Sequence, residues 1–177
     1  MKKFIKKILI AMSLVSVASV ASCKISDANV YNYWNVSDTA YLSKDHIVKK
    51  VNAKKVEKMV SKQTEDSGYI YVFYGQTDST TSQSAIQVFN EQAIQYEIDT
   101  LYWVDSNLST KKKEDAETRL RMSDSNNIPS LIVYKNGSVE FDSSRPVYKN
   151  NTSYTNYILA EVAFKHLYDE NGEYSLK

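Results

Sequence analysis

Six consecutive residues, Tyr69-Ile70-Tyr71-Val72-Phe73-Tyr74, are all aromatic or β-branched. Such a run offers no polar side to water, so it predicts a central strand buried on both faces, with helices above and below it. The flanking pattern supplies those helices. Upstream, Ile47, Val48 and Val51 suggest a short strand, Asn52 is placed to cap a helix, and Val56, Met59 and Val60 recur at helical spacing to about Lys62. Downstream, Ala85, Ile86, Val88, Phe89, Ala93 and Tyr96 mark a second helix, Ile98 to Val104 a third strand, and Lys112 to Met122 a charged helix. Ser130 to Tyr134 then predicts a strand, Asn136-Gly137 a type I′ turn, and Val139 a returning strand. Tyr157, Ile158, Val162, Phe164, Leu167 and Tyr168 give a last helix its apolar face. The order is βαβαβαββα, an α/β fold with a central mixed sheet flanked by helices.

The N-terminus carries a different signal. Lys2, Lys3, Lys6 and Lys7 precede the uncharged, largely apolar stretch Ile8 to Ala21, which is short for a membrane span and reads as a removable signal segment. Val20-Ala21-Ser22-Cys23 follows and resembles the bacterial lipobox, an aliphatic residue and two small ones before a lipid-accepting cysteine. Cys23 is the only cysteine of 177 residues, and a lone thiol on an exported protein would otherwise be a liability. The expected organisation is a lipoprotein signal peptide over 1–22, a lipid-anchored tether over 23–45 and one folded domain over 46–177. The resemblance implies diacylglyceryl and further acyl chains such as palmitate on Cys23, holding the protein to the extracytoplasmic face of a cell membrane. Within the tether, Trp34, with Tyr31 and Tyr33, is expected to pack on the domain rather than rest at the lipid interface.

Charge narrows the partners. Removing the four leader lysines from the 22 basic residues leaves 18 against 21 acidic ones, a mildly acidic domain that is no nucleic-acid binder. His46 and His166 are the only histidines and belong to no short ligand motif, so no metal is expected. Lys111-Lys112-Lys113 with Glu114, Asp115 and Glu117 reads as a solvated helix face, and Asp99, Asp105 and Asp124 as scattered acids without an evident base.

The element order, together with Ile128-Pro129-Ser130-Leu131-Ile132-Val133-Tyr134-Lys135-Asn136-Gly137, resembles thioredoxin over roughly Ile47 to Tyr168. The resemblance implies a cis Pro129 before its strand and an active site where the central strand ends. There the family carries Trp-Cys-Gly-Pro-Cys, whereas this chain reads Gln76-Thr77-Asp78-Ser79-Thr80-Thr81-Ser82. In ungapped register Asp78 and Thr81 stand at the two cysteine positions, Thr77 at the tryptophan and Val72 at the family's buried acid. Thiol–disulfide exchange needs an attacking thiolate and a resolving thiol, and Asp, Ser and Thr supply neither. The expectation is a redox-inactive, non-enzymatic domain without cofactor. Thr80 with Gln83 fits a capping box for the following helix, and Asp78 or Ser79 are alternative caps.

The candidate binding site is therefore the vestigial active-site end, comprising Gln76, Thr77, Asp78, Ser79, Thr80, Thr81, Ile128 and Pro129, with a protein or peptide as partner. Its rivals are an oxidoreductase-related protein working with a partner's thiols, an accessory to bacteriocin export, and a scaffold whose ancestral site has decayed.

Overall fold

The computed structural model describes residues 28–35, 40–124 and 127–145, together with residues 159, 160 and 163. The leader and Cys23 lie outside the described residues. So do Tyr157, Ile158, Val162, Phe164, Leu167 and Tyr168 of the expected last helix. Five strands, β1 (Val48–Val51), β2 (Ile70–Gly75), β3 (Leu101–Asp105), β4 (Ser130–Lys135) and β5 (Ser138–Asp142), form one sheet in the order β1-β3-β2-β4-β5. β1, β3 and β2 are parallel, and β4 and β5 run antiparallel, so the sheet is mixed with the aromatic run at its centre. Among the described residues helices α1 (Ala28–Trp34), α2 (Ala53–Val60), α3 (Thr80–Gln95) and α4 (Thr110–Leu120) accompany them, and residues 159, 160 and 163 are also helical.

Strand alternation divides the interior into two cores. Tyr71, Phe73, Leu101, Trp103, Leu131 and Val133 point to one face and pack with Val30 and Trp34 of α1, Ala85, Ile86 and Phe89 of α3, and Ala160 and Ala163. Val72, Tyr74, Val104, Ile132 and Tyr134 point to the other and pack with Val56 and Val60 of α2 and with Ala116 and Leu120 of α4. This is the arrangement the unbroken run required, and it is thioredoxin-like in strand order, in the placing of the terminal hairpin and in the cis Ile128-Pro129 bond. Asn52 caps α2 as expected, accepting from the Lys55 amide at 2.8 Å. Asn136 and Gly137 adopt φ of 51° and 73°, the two left-handed positions a type I′ turn demands.

Several boundaries differ from the sequence reading. The third strand begins at Leu101 rather than Ile98, because α3 ends in a Schellman motif that consumes the intervening residues. Glu97 turns left-handed at φ 56°, its amide donates to Ile94, and the Ile98 amide reaches Ala93 at 2.8 Å. Arg121, at φ 54°, stops α4 in the same way, so that it ends at Leu120, two residues short of the expected Met122. The larger correction concerns the stretch taken as a tether. Its residues 28–34 form α1, and Val30, Trp34 and Leu42 are buried in the core. Trp34 packs edge-on against Trp103 at 5.0 Å and Phe73 at 5.8 Å between ring centroids. With only seven residues and no charge, α1 shows too little periodicity to read as a helix, and packing of the expected Trp34 holds it in place. Asn35 then fastens the return, its Oδ1 accepting from the Tyr41 and Leu42 amides.

Candidate functional site

β2 delivers the site. Its last residues pair with both neighbours, Gly75 with Asp105 of β3 and Tyr74 with Ser130 of β4. Because β4 is antiparallel, Pro129 and Ile128 precede Ser130 at the same end of the sheet where Gln76 and Thr77 leave β2. Two segments more than fifty residues apart in sequence thus converge, as the resemblance implied. The end of β2 is tightly built. The Gly75 carbonyl accepts from the Trp103 indole Nε1 at 2.9 Å and from the Ser106 amide at 3.1 Å. A Cβ on Gly75 would lie 2.6 Å from the Phe73 ring and 3.2 Å from Ser82 Oγ, so this position excludes a side chain.

The loop that follows is ordered by its own polar groups. Ser79, not Thr80, is the cap of α3: its Oγ accepts from the Ser82 amide at 3.4 Å. Gln83 turns back as a capping-box residue does, but its Nε2 donates to the Thr77 carbonyl at 2.7 Å, so the Thr80–Gln83 pairing expected from sequence is replaced by a Thr77–Gln83 one. The buried Ser82 accepts from the Gln76 amide at 3.3 Å. Asp78, Thr80 and Thr81 remain exposed, while Gln76, Thr77, Ser79, Ile128 and Pro129 are half-buried. Asp78 is also approached by Asn107 of the β3–α4 loop, Nδ2 to Oδ2 at 3.5 Å. That loop, with the buried Ser106, is the part of this end that sequence reasoning missed, because neither residue carries a motif. Ile128 differs from its expected role as a loop contact: its side chain packs on the core shared by α2 and α4.

Behind the site sits a buried polar pair, Tyr74 of the central strand and Glu117, the latter expected from sequence on a solvated helix face. Tyr74 Oη stands 3.5 Å from Glu117 Oε1, and Lys113 Nζ lies 3.8 Å from the same oxygen. Burial pushes the Glu117 carboxyl above its ordinary value near 4.5, against the pull of Lys113 and of the Tyr74 hydroxyl. Burial and then the Glu117 charge likewise push the Tyr74 hydroxyl up, so it stays protonated and donates. Glu117 therefore holds its proton more tightly folded than unfolded, and its contribution to stability is present at low pH and lost as pH rises through the raised value. Glu117→Gln is expected to abolish that slope, so that the variant gains on the wild type in urea titrations as pH rises from 4 to 7. Parallel stability curves across that range would show that the carboxyl is not perturbed.

Other expectations resolve simply. His46 is buried, with Nδ1 accepting from the Val48 amide, whereas His166 lies outside the described residues. Asp105 does have a base, Lys50 at 3.2 Å. Among the described residues no three His, Cys, Asp or Glu side chains gather as metal ligands would.

No protein-family model matches the chain, and no curated protein matches it. Its fold is similar to solved thioredoxins. The oxidised thioredoxin of Plasmodium falciparum is 16% identical with a TM-score of 0.47, over 67% of this chain and 97% of that one. Thioredoxins O2 and O1 of Arabidopsis thaliana, both oxidised, are 17% and 20% identical. Their TM-scores are 0.42 and 0.41, over 55% and 54% of this chain and 81% and 82% of theirs. At this distance the likeness concerns the fold and carries nothing about activity.

Proposed function

We propose that this chain is a membrane-anchored, extracytoplasmic lipoprotein whose thioredoxin-like domain binds a protein or peptide and catalyses no thiol exchange. The observation that carries this reading is the convergence of the Gln76 to Thr81 loop with Ile128-Pro129, at a sheet end where the chain's single cysteine, Cys23, has no counterpart. Loop side chains held by a rigid sheet recognise partners at little cost to the core. An extended segment laid beside Ile128-Pro129, ahead of β4, and the α3 start could pair with backbone groups there, and that mode of recognition requires no sulfur. Cys23 stands within a lipobox-like sequence, so its sulfur is assigned to the acyl anchor, and no helix of the described residues is long and apolar enough to cross a membrane.

Crosslinking the native protein on cells and identifying what is captured tests the binding role. Gln76→Arg and Thr77→Arg place bulk and charge on the loop and should lower capture about tenfold, the effect of a lost interface contact. Their stability should stay within about 0.5 kcal/mol of wild type, as for surface changes generally. Ile128 is unsuitable for this test because its packing on the core would confound the result. Unchanged capture in both arginine variants would favour the decayed scaffold, and insulin reduction by the purified protein would restore the oxidoreductase reading.

A further inference from the structure

The chain between α4 and β4 carries Ile128-Pro129 but forms neither helix nor strand at Ser123, Asp124 or Asn127 to Pro129. Its backbone groups therefore need partners from elsewhere. The end of β5 supplies them. Asp142, Ser143 and Ser144 are all buried where β5 stops beside the start of β4, with the Ser143 amide donating to the Leu131 carbonyl at 3.0 Å. Asp142 opens with an Asx turn, its Oδ1 accepting from the Ser144 amide at 2.8 Å. That leaves Oδ2 for a distant partner, and it accepts from the Ser123 amide at 2.7 Å.

The contacts continue along both segments. Ser144 Oγ accepts from the Asp124 amide at 3.1 Å, and Asn127 Nδ2 donates to the Ser143 and Ser144 carbonyls, each at 3.3 Å. Beyond the proline, Ser143 Oγ accepts from the Leu131 amide at 2.8 Å, and Ser130 Oγ reaches back to donate to the Asn127 carbonyl. Ile128-Pro129 is thus held from both sides by one three-residue segment. The side chains are chemically specific. The two Asp142 oxygens face two different amides, so asparagine, with a single acceptor, would turn its NH2 on one of them. Burying polar side chains is unfavourable unless each is hydrogen-bonded, so these three residues serve the loop they hold rather than fill space.

We propose that Asp142, Ser143 and Ser144 are positioning residues of the binding site, which keep Ile128-Pro129 in the conformation that receives a partner and, being buried, do not touch it. This rests on the binding reading above. A loop that samples other conformations binds in proportion to its competent fraction, so loosening the clamp lowers affinity while the domain stays folded.

The test uses the full lipoprotein on cells, and its probe is the crosslinked species that Gln76→Arg removes. Ser144→Ala deletes the bond to the Asp124 amide with little change of volume, and Asp142→Asn leaves one amide without its acceptor. Ser67→Ala is the control, because Ser67 Oγ accepts from the Thr64 amide at 2.8 Å just before β2, at the opposite end of the sheet. Loss of one hydrogen bond should lower capture about twofold to tenfold in each clamp variant and leave it unchanged in Ser67→Ala. Hydrogen exchange at the Asp124 amide of purified Ser144→Ala should rise by a similar factor, and near-ultraviolet circular dichroism from the core aromatics should match wild type. If Asp142→Asn loses that dichroism, Ser144→Ala alone decides. Wild-type capture by folded Ser144→Ala overturns the positioning role, as does an equal fall in Ser67→Ala, which would mark general destabilisation. Crosslinking that Gln76→Arg leaves intact overturns the binding reading, and this inference with it.

Discussion

Trp103→Ala is expected to cost about 3–5 kcal/mol, the range for removing a large aromatic from a packed core. Trp103 is fully buried and is the point at which three parts of the fold meet. Its ring packs edge-on with Trp34 at 5.0 Å and Tyr33 at 5.9 Å, tying α1 to the sheet. Its indole N–H holds the Gly75 carbonyl where β2 opens into the candidate site. Lys50 Nζ lies 4.4 Å from its centroid. Against a total stability on the order of 5–15 kcal/mol, the loss would remove a large share of the folded state's margin. Guanidinium titration of the purified protein should show the midpoint fall accordingly. Trp103→Phe keeps most of the ring and leaves the Gly75 carbonyl its Ser106 amide donor, so it should lose much less. A cost below about 1 kcal/mol for Trp103→Ala would mean that α1 and the sheet do not pack as described.

How far the fold could be read depended on whether a segment's pattern agreed with its own local chemistry. The Tyr69 to Tyr74 run could serve only as a central strand, and the structure pairs it on both sides. Asn136-Gly137 had one economical conformation and adopts it. Misreadings came where a left-handed residue carried a large side chain. Glu97 and Arg121 end helices at positions usually taken by glycine, so nothing in their identity announced the stop. Lys24 to Asp45 misled for the opposite reason: its polar composition hid a short helix held by Trp34, Val30 and Leu42 rather than by its own propensity.

The site was legible as a place but not as a network. Gln76 to Thr81 and Ile128-Pro129 could be assigned to one end of the sheet because element order alone brings those loops together. What organises them lay beyond a linear reading. Of the caps the sequence offered, Ser79 rather than Thr80 is used, while Gln83 reaches Thr77 and Asn107 approaches Asp78 from a third loop that no motif marked. Glu117 was misassigned because the charged residues that precede it on the helix, Lys111, Lys112, Glu114 and Asp115, are exposed, whereas the helix turns it inward against Tyr74. Periodicity over an eleven-residue helix of low hydrophobicity gives little warning of one inward acid.

Cys23→Ala should have the largest effect on where the protein resides. If thioether-linked acyl chains at Cys23 are the anchor, the substitution removes the only thiol in the chain and with it the site at which those chains are attached. Each buried methylene contributes about 0.8 kcal/mol, so two or three chains hold a protein far more firmly than surface charge can alone. The variant should therefore accumulate as the uncut precursor, or be cut elsewhere and shed into the medium. Fractionation with immunoblotting would distinguish these fates by size. Less than about one tenth of the processed protein should stay with membranes at moderate salt, where any surface-charge contact is screened within a Debye length near 8 Å. Cys23→Ser is the sharper control, because it preserves size and polarity and removes only the sulfur chemistry. Processing and membrane retention equal to wild type in both variants would refute the anchor and leave the fold, which rests on the sheet and its two cores, unaffected.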